Sequence, residues 1–508
     1  MSVQERRRGA WGLRRGVGAS GTILAGILAA ATLLRLFQLG EQSFWLDEAF
    51  AARLARLDWR ASLASEINAT LYYRLLRVWM LFGDSEAVLR GFSVLWSVAT
   101  IPVLYALGRR LLTPREGLVA AALLAVNAFH IAYAQEARAY SLMVFLVTLA
   151  ALCFVKALEQ WSVRYWVTYA LVTVAAILTH VIAVLAPIAH LAALVFLPPR
   201  DVPWRRVAGA MGAIGVVGLL WGVVIAVRGG YNVSFPELGL RNVYAVFMAL
   251  SGQGGLPLLV AYTGAVVLSV ARAVHTWTSS DRSSASFRYG FLLAWLVVPV
   301  SVAYTVTESR LLYLPRFLIF CVPPLALLAA AGVASLRPFV VRAAALFVMV
   351  GLALGGVCGY YSRFKKEEWR LASRIVLCQA KSGDALLFHA SYVRVPFDYY
   401  RERAAGVEQS PSISVASGPA DVSSRTPRVW LIVSHDMSPE HRESRSIAAA
   451  LAHGRPFALW WRLFGIDVVL FSARPVQPSD CAPPPSAPVR GEGRRSWAYS
   501  RENSGVFP

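Results

Sequence analysis

The stretch GASGTILAGILAAATLLRLFQLGEQSFWLDE, residues 18–48, decides how the chain is read. Gly18–Gln38 carries one charge, Arg35, and is long enough to cross roughly 30 Å of hydrocarbon as a helix. Its basic lead (Arg6, Arg7, Arg8, Arg14 and Arg15) resembles a signal peptide. No small-x-small cleavage site leads from it into a soluble chain, so it reads as a retained first helix. Two adjacent carboxylates, Asp47 and Glu48, follow directly, beside Trp45 and Phe50.

Apolar stretches of this kind recur to about residue 359. They are Gly18–Gln38, Ala87–Leu107, Gly117–Phe129 (partly re-entrant), Ala139–Leu158, Tyr165–Thr179, Ile182–Leu197, Val207–Val227, Leu256–Val274, Phe291–Thr307, Phe317–Ser335 and Phe339–Gly359. About 11 transmembrane helices are expected. Composition agrees: 57% of the 508 residues are hydrophobic and 16% charged, with mean hydropathy +0.52. A soluble domain carries about 25% charged residues. Disorder is excluded and a purely soluble enzyme disfavoured.

The net charge of +21 needs a layout before it means anything. With the N-terminus cytoplasmic, the cytoplasmic segments hold 18 basic residues against five acids, and the opposite loops 11 against 10, apart from Arg35. This is the positive-inside asymmetry. The bilayer is therefore the partner the basic charge records, and no nucleic acid is expected, because the basic residues are spread over short loops. The reading is a multi-pass protein of the plasma (inner) membrane, with its C-terminal domain extracytoplasmic.

Residues 1–359 form the membrane module, with a structured first outer loop at 39–86. Residues 360–474 read as a small α/β domain, with strands at Asp384–His389, Val429–Ser434, Phe457–Arg462 and Asp467–Phe471 and helices at Lys366–Ala380 and Ser446–His453. The Pro-rich end, 475–508, reads as a disordered tail. Cys378 and Cys481 permit a disulfide there, and two unpaired thiols fit the sequence equally well.

Three polar clusters lie on the outer face. In the first loop, Asp47-Glu48 suits a helix N-terminus. It also suits deprotonation of a hydroxyl, or oxygen ligation of a hard divalent cation. Amphipathic stretches at Glu48–Leu57 and Glu66–Phe82 follow, the second with Tyr72, Tyr73, Arg74, Arg77 and Trp79, a mix suited to a helix in the interface plane. The second cluster, Asn127–Tyr140, gathers His130, Tyr133, Gln135, Glu136, Arg138 and Tyr140. Polar residues at membrane depth are costly and face a cavity or a partner. The third holds Arg310 and Arg316, against the positive-inside trend; guanidinium forks suit phosphate, and snorkelling to lipid headgroups is the plainer use. His180 and His190 read as structural.

Phe44-Trp45-Leu46-Asp47-Glu48, Leu71-Tyr72-Tyr73, His130-Ile-Ala-Tyr133-Ala-Gln135-Glu136-Ala-Arg138-Ala-Tyr140, Pro315-Arg316-Phe317-Leu318 and Glu367-Glu368-Trp369-Arg370 together resemble the GT-C superfamily of integral membrane glycosyltransferases. The nearest group is the protein-mannosyltransferase and aminoarabinose-transferase relatives, glycosyltransferase family 39. The likeness runs over about residues 20–400. It implies an α-helical polytopic GT-C fold and a cell-envelope transferase. Such an enzyme moves a hexosyl or pentosyl unit from a polyprenyl-phosphate sugar donor to an extracytoplasmic acceptor (lipid, glycan or protein), usually with inversion. It implies Asp47 as general base, with Glu48 orienting it, binding acceptor or supporting a metal. Tyr72 and Tyr73 would line the substrate groove, Arg138 would lie near the donor phosphate, and Arg310 or Arg316 would add phosphate contacts. Many relatives carry His-Pro-Pro where this chain has Asn68-Ala69-Thr70, so that histidine's role is absent or falls to His130. No cofactor is fixed by these residues beyond an optional divalent cation. A lipid-linked sugar flippase shares the hydropathy, but would show inverted repeats and polar sites at the bilayer midplane.

Overall fold

The computed structural model describes residues 18–228, 239–277, 282–306, 314–404, 413–423, 426–436, 441–478 and 487–490. The chain divides into two compact units. One comprises the residues up to Leu39 and Leu57–Arg363; the other joins Gly40–Arg56 to Phe364 and the residues after it. The division runs through the first loop, which the sequence reading assigned whole to the membrane module.

The first unit is a helical bundle of an integral membrane protein. Among the described residues, seven of its helices are long and apolar enough to span a bilayer, or eight if the bent pair Pro114–Ala125 and Ala128–Ala134 is one span. Ser20–Leu36, Val163–Thr179, Val181–Phe196 and Leu240–Leu250 are shorter apolar helices. All eleven expected stretches fall on these elements; Leu240–Leu250 was not expected. Pro315–Ser335 is almost wholly enclosed, whereas Trp204–Val227 and Phe339–Arg363 turn most of their surface outward. Their outward Leu219, Leu220 and Phe347 are exposed apolar side chains, as lipid-facing positions should be. Without a hydrophobic force between helices in lipid, small residues at contacts do the packing. Gly332 shows how close that packing is: a Cβ there would sit 1.7 Å from the Ala265 carbonyl oxygen.

The re-entrant expectation for the third stretch takes a definite form. Pro114–Ala125 and Ala128–Ala134 meet at 61°. Asn127 makes the break, because its Oδ1 accepts the His130 N–H at 2.9 Å and caps the second helix, while its Nδ2 donates to Leu250 O at 2.9 Å. An Asn cap of this kind satisfies an orphan N–H of the new helix.

Helices Leu46–Arg56, Trp59–Ser65 and Thr70–Trp79 form in the first loop. The stretch expected as one helix from Glu66 begins only at Thr70, because the Glu66 carboxylate turns back to accept the Asn68 N–H at 2.9 Å. Asp58 caps Trp59–Ser65 through the Arg60 and Ala61 N–H groups.

The second unit is built on a six-stranded mixed sheet. Its strands are β1 Ala385–His389, β2 Ser414–Ala416, β3 Arg428–Val433, β4 Phe457–Leu463, β5 Ile466–Ser472 and β6 Ala487–Arg490, in the order β2-β1-β3-β5-β4-β6. β1 runs parallel to β2 and β3, and the remaining pairs are antiparallel. Side chains alternate across the sheet. Trp430 and Ile432 pack with Trp369, Ile375 and Trp461 on one face; Val429 and Leu431 pack with Leu451 and Val469 on the other. Among the described residues, six strands and six helical pieces, Leu46–Arg56 included, make up this small sheet unit. Strand β2 and helix Arg394–Arg401 were not expected. Strand β6 falls inside the stretch read as a disordered tail, because Ala487–Arg490 finds the open edge of β4; the rest of 479–508 lies outside the described residues. Cys378 is disulfide-bonded, and Cys153, Cys321 and Cys358 are free. Cys481 lies outside the described residues.

Candidate functional site

The segment Asn127–Tyr140 divides its polar residues between two tasks. His130 and Gln135 belong to a buried knot around Arg35, which is fully enclosed. The Arg35 guanidinium donates to Ser97 Oγ at 2.7 Å, Ala31 O at 3.1 Å, Ala125 O at 3.0 Å and Leu124 O at 3.3 Å, and lies 3.0 Å from His130 Nδ1. Leu124 and Ala125 end the first half of the broken helix. Their orphan carbonyls, at the negative end of the helix dipole, stabilise a cation that has no carboxylate partner among the described residues. Gln135 Nε2 donates to Arg35 O at 3.0 Å and Phe37 O at 2.6 Å, and its Oε1 accepts the Tyr360 hydroxyl at 3.1 Å. The structure thus places His130, expected as a substrate contact, against Arg35 and Ser97. The residue is 1% exposed.

Tyr133, Glu136, Arg138 and Tyr140 have a different surrounding. Arg138 lies 5.6 Å from the Tyr140 ring and donates to the Tyr140 hydroxyl at 3.4 Å. Ser93 Oγ fixes the Arg138 carbonyl at 3.3 Å. Tyr140 meets Tyr133 at 4.9 Å, His180 at 5.6 Å and Phe317 at 6.4 Å between ring centroids, and His180 meets Phe317 at 5.3 Å. Arg316 lies 5.5 Å from the Phe317 ring. Arg138 and Arg316 both act electrostatically on His180 and on Tyr133, and Glu136 also acts on Tyr133. Segments that start 127, 180 and 314 residues into the chain therefore converge on one aromatic-walled, doubly cationic site. His180, read from the sequence as structural, is part of it. Its Nδ1 accepts the Ile182 N–H at 3.4 Å, which puts the ring proton on Nε2.

Tyr72 and Tyr73 lie on helix Thr70–Trp79. They are buried and pack on each other and, through Tyr72, on Phe92. Arg310 lies outside the described residues.

In the second unit, Asp47 and Glu48 open helix Leu46–Arg56, the plainer of the readings made from sequence. They part company at once. Glu48 is fully buried and its Oε2 meets Lys366 Nζ at 3.0 Å; Asp47 is half-buried. The run Phe364–Arg370 grips residues 40–48 along its length. Gln42 Nε2 donates to Phe364 O and its Oε1 accepts the Lys366 N–H. Ser43 Oγ donates to Glu367 O, and Arg370 donates to the Gly40 and Glu41 carbonyls. The Phe44 N–H donates to Tyr400 Oη at 2.7 Å. Glu367 accepts from Trp369 Nε1 at 2.5 Å and meets His435 Nε2 at 3.0 Å. Burial pushes the Glu367 carboxyl above the usual carboxylate range. The His435 ring and the Trp369 indole oppose that shift, and the negative charge of Asp47 adds to it. Lys366, Glu367 and His435 were not singled out individually; the one trace of them in the sequence was the Glu367-Glu368-Trp369-Arg370 run.

Among the described residues, no group of three or more His, Cys, Asp or Glu side chains is arranged to hold a metal ion. The Lys366 ammonium already lies on Glu48, so the adjacent pair does not fit a two-carboxylate cation site.

A polytopic helical bundle with a small C-terminal sheet unit is the fold of ArnT. The chain has that fold. Residues 71–225 match the family of dolichyl-phosphate-mannose-protein mannosyltransferases. ArnT from Cupriavidus metallidurans in the apo state superposes with a TM-score of 0.61 at 14% identity, covering 92% of this chain and 100% of that one. ArnT bound to undecaprenyl phosphate gives 0.58 at the same identity and coverage. The archaeal oligosaccharyltransferase AglB from Archaeoglobus fulgidus, in complex with an inhibitory peptide and a dolichol-phosphate, gives 0.51 at 10% identity over 90% of this chain and 74% of that one. No curated protein sequence matches at a significant level.

Proposed function

We propose that the chain transfers a sugar from a polyprenyl-phosphate donor to an extracytoplasmic acceptor. The observation that carries this reading is the convergence of Arg138, Arg316 and His180 on one aromatic-walled site, in a fold shared with a protein crystallised with undecaprenyl phosphate. As the glycosidic bond breaks, negative charge grows on the leaving lipid phosphate. Preorganised guanidinium groups in a partly dry site stabilise that charge without reorganising. The His180 Nε2–H supplies a neutral donor beside them. Tyr133 and Tyr140 shape the site with Glu136 beside them, and Gln135 holds the loop that carries Arg138.

Asp47 is the general base. It takes the proton from the acceptor hydroxyl or amine as the nucleophile closes on the anomeric carbon, which inverts its configuration. Glu48, bound to Lys366, keeps the helix start in place. The orientation that serves this chemistry has a cytoplasmic N-terminus and an extracytoplasmic C-terminal unit, supported by the excess of basic residues on one set of loops.

Labelled polyprenyl-phosphate sugar in membranes tests the reading. The parent protein should place label on an acceptor. Asp47→Asn should lower transfer roughly 10²–10⁴-fold, the usual weight of a general base, while donor binding persists. Full activity in that variant removes Asp47 from the role of base. Movement of the labelled lipid across the bilayer without transfer would identify a flippase instead.

A further inference from the structure

The parallel part of the sheet in the second unit opens a crevice of its own. Strands β1 and β3 lie side by side and run the same way, and the chain leaves their carboxyl ends toward opposite faces. After β1, Val393 and Phe397 pack with Trp430 and Ile432 on one face. After β3, Ala448 and Leu451 pack with Val429 and Leu431 on the other. Where neighbouring parallel strands send their connections to opposite faces, the gap between the two exits is the usual place for a ligand in an α/β sheet.

At the other end of the same two strands the charges are spent on each other. Arg428 Nε lies 3.1 Å from Asp384 Oδ1, and Trp430 Nε1 donates to Asp384 Oδ2 at 2.9 Å. The carboxyl ends are set differently. His389 ends β1, and Asp436 follows β3. His389 Nε2 faces Asp436 Oδ1 at 3.6 Å and Glu443 Oε2 at 3.9 Å. Both separations exceed a hydrogen bond, and the His389 imidazole makes no hydrogen bond among the described residues. The Asp436 side chain is 2% exposed, His389 12% and Glu443 71%, so the three descend from surface to floor. The Ser444 N–H donates to Asp436 Oδ2 at 3.2 Å, and His441 Nδ1 stands 3.8 Å from that same oxygen. Oδ1 is the oxygen turned to His389. His435 and His441, on either side of Asp436 in the chain, have φ of +57° and +54°. A non-glycine residue holds this left-handed conformation at a cost, and such residues gather at functional sites. Tyr392, half-exposed in the exit from β1, lies 6.3 Å from the His435 ring.

These distances select a chemistry. A gap of 3.6 or 3.9 Å between a donor and an acceptor is one that a single bridging oxygen fills. Two carboxylates before Nε2 keep the ring proton on that nitrogen. The bridging atom must therefore accept from an N–H and donate to a carboxylate, and a hydroxyl does both. An ammonium group has no lone pair to offer, and a phosphate or carboxylate would meet Asp436 and Glu443 with like charge. Two carboxylates about one imidazole suit two hydroxyls on neighbouring carbons. The exposed Tyr392 ring adds the apolar surface that a ligand site sets beside a few polar groups.

We propose that this crevice is a carbohydrate site: His389, Asp436 and Glu443 hold adjacent hydroxyls of a neutral pyranose, and Tyr392 receives its apolar face. The site gives the sheet unit a ligand of its own and does not depend on the reading of Asp47.

Saturation-transfer NMR on the full-length protein, in lipid nanodiscs free of sugar detergents, tests it with the methyl glycosides of mannose, galactose and glucose. At least one should bind with a millimolar or tighter Kd. His389→Ala and Asp436→Asn should weaken that binding at least about tenfold, the weight of a hydrogen bond to a charged group. Glu443→Ala, at an exposed side chain whose loss leaves the fold intact, should weaken it by about three- to tenfold. Asp47→Asn should bind the sugar like the parent whatever becomes of transfer, so the two readings fail separately. If none of the three glycosides binds the parent protein, or if His389→Ala and Glu443→Ala both bind as the parent does, the crevice holds water only and the proposal falls.

Discussion

Arg35 and Arg138 are arginines of the same unit, tied to the same fourteen-residue segment, and they are held in opposite ways. Arg35 is enclosed, and its donors go to neutral, fixed acceptors: helix-end carbonyls, a serine and His130. Arg138 is half-exposed and lies beside an aromatic ring, with Arg316 acting on the same histidine. A cation saturated by backbone oxygens braces a break in a helix. Two cations beside one aromatic wall add to the positive potential there. The segment separates the tasks by helical phase: His130 on one side of Ala128–Ala134, Tyr133 on another, with Gln135 and Arg138 on the turn beyond.

Three substitutions would break or sharpen this contrast. Arg35→Ala should have the largest effect. Each buried acceptor left unpaired costs about 1–3 kcal/mol, and Arg35 serves several. A loss of roughly 3 kcal/mol or more should appear as a large fall in the thermal midpoint of the purified protein. A parent-like midpoint would show that the knot is not a brace. Arg138→Ala should leave that midpoint nearly unchanged and lower transfer by about 10²–10³-fold, the range for one lost donor to developing charge. An equal loss of stability and rate would erase the distinction between the two arginines. Tyr360→Phe, which removes the hydroxyl that Gln135 accepts, should cost about 1 kcal/mol in the same melting measurement, with a donor KM close to the parent's. A selective rise in KM would move Gln135 from the brace to the binding site.

The outline of these two regions was legible in the chain itself. Apolar runs of spanning length fixed the helical bundle, and strands alternating at period two fixed the small sheet, because both signals are local and energetically large. The Asp47-Glu48 pair and the Arg138 segment stood out because carboxylates and guanidinium groups are costly near lipid. The individual roles were not legible. His130 and Tyr133 looked equally suited to a substrate, and only the packing of Arg35 against the broken helix claimed the first. His180 looked like an interfacial histidine until residues 140 and 317 placed their rings beside it.

The sequence by itself determined the apolar helical bundle and the small sheet unit, since hydropathy and alternation depend on neighbours in the chain. Only the tertiary structure decided which of two adjacent acids is spent on a lysine. That choice depends on a contact more than 300 residues apart, Glu48 with Lys366. No periodicity or spacing encodes such a distance. The energy that selects these partners is the desolvation of a buried charge, which exists only once the chain has folded around it.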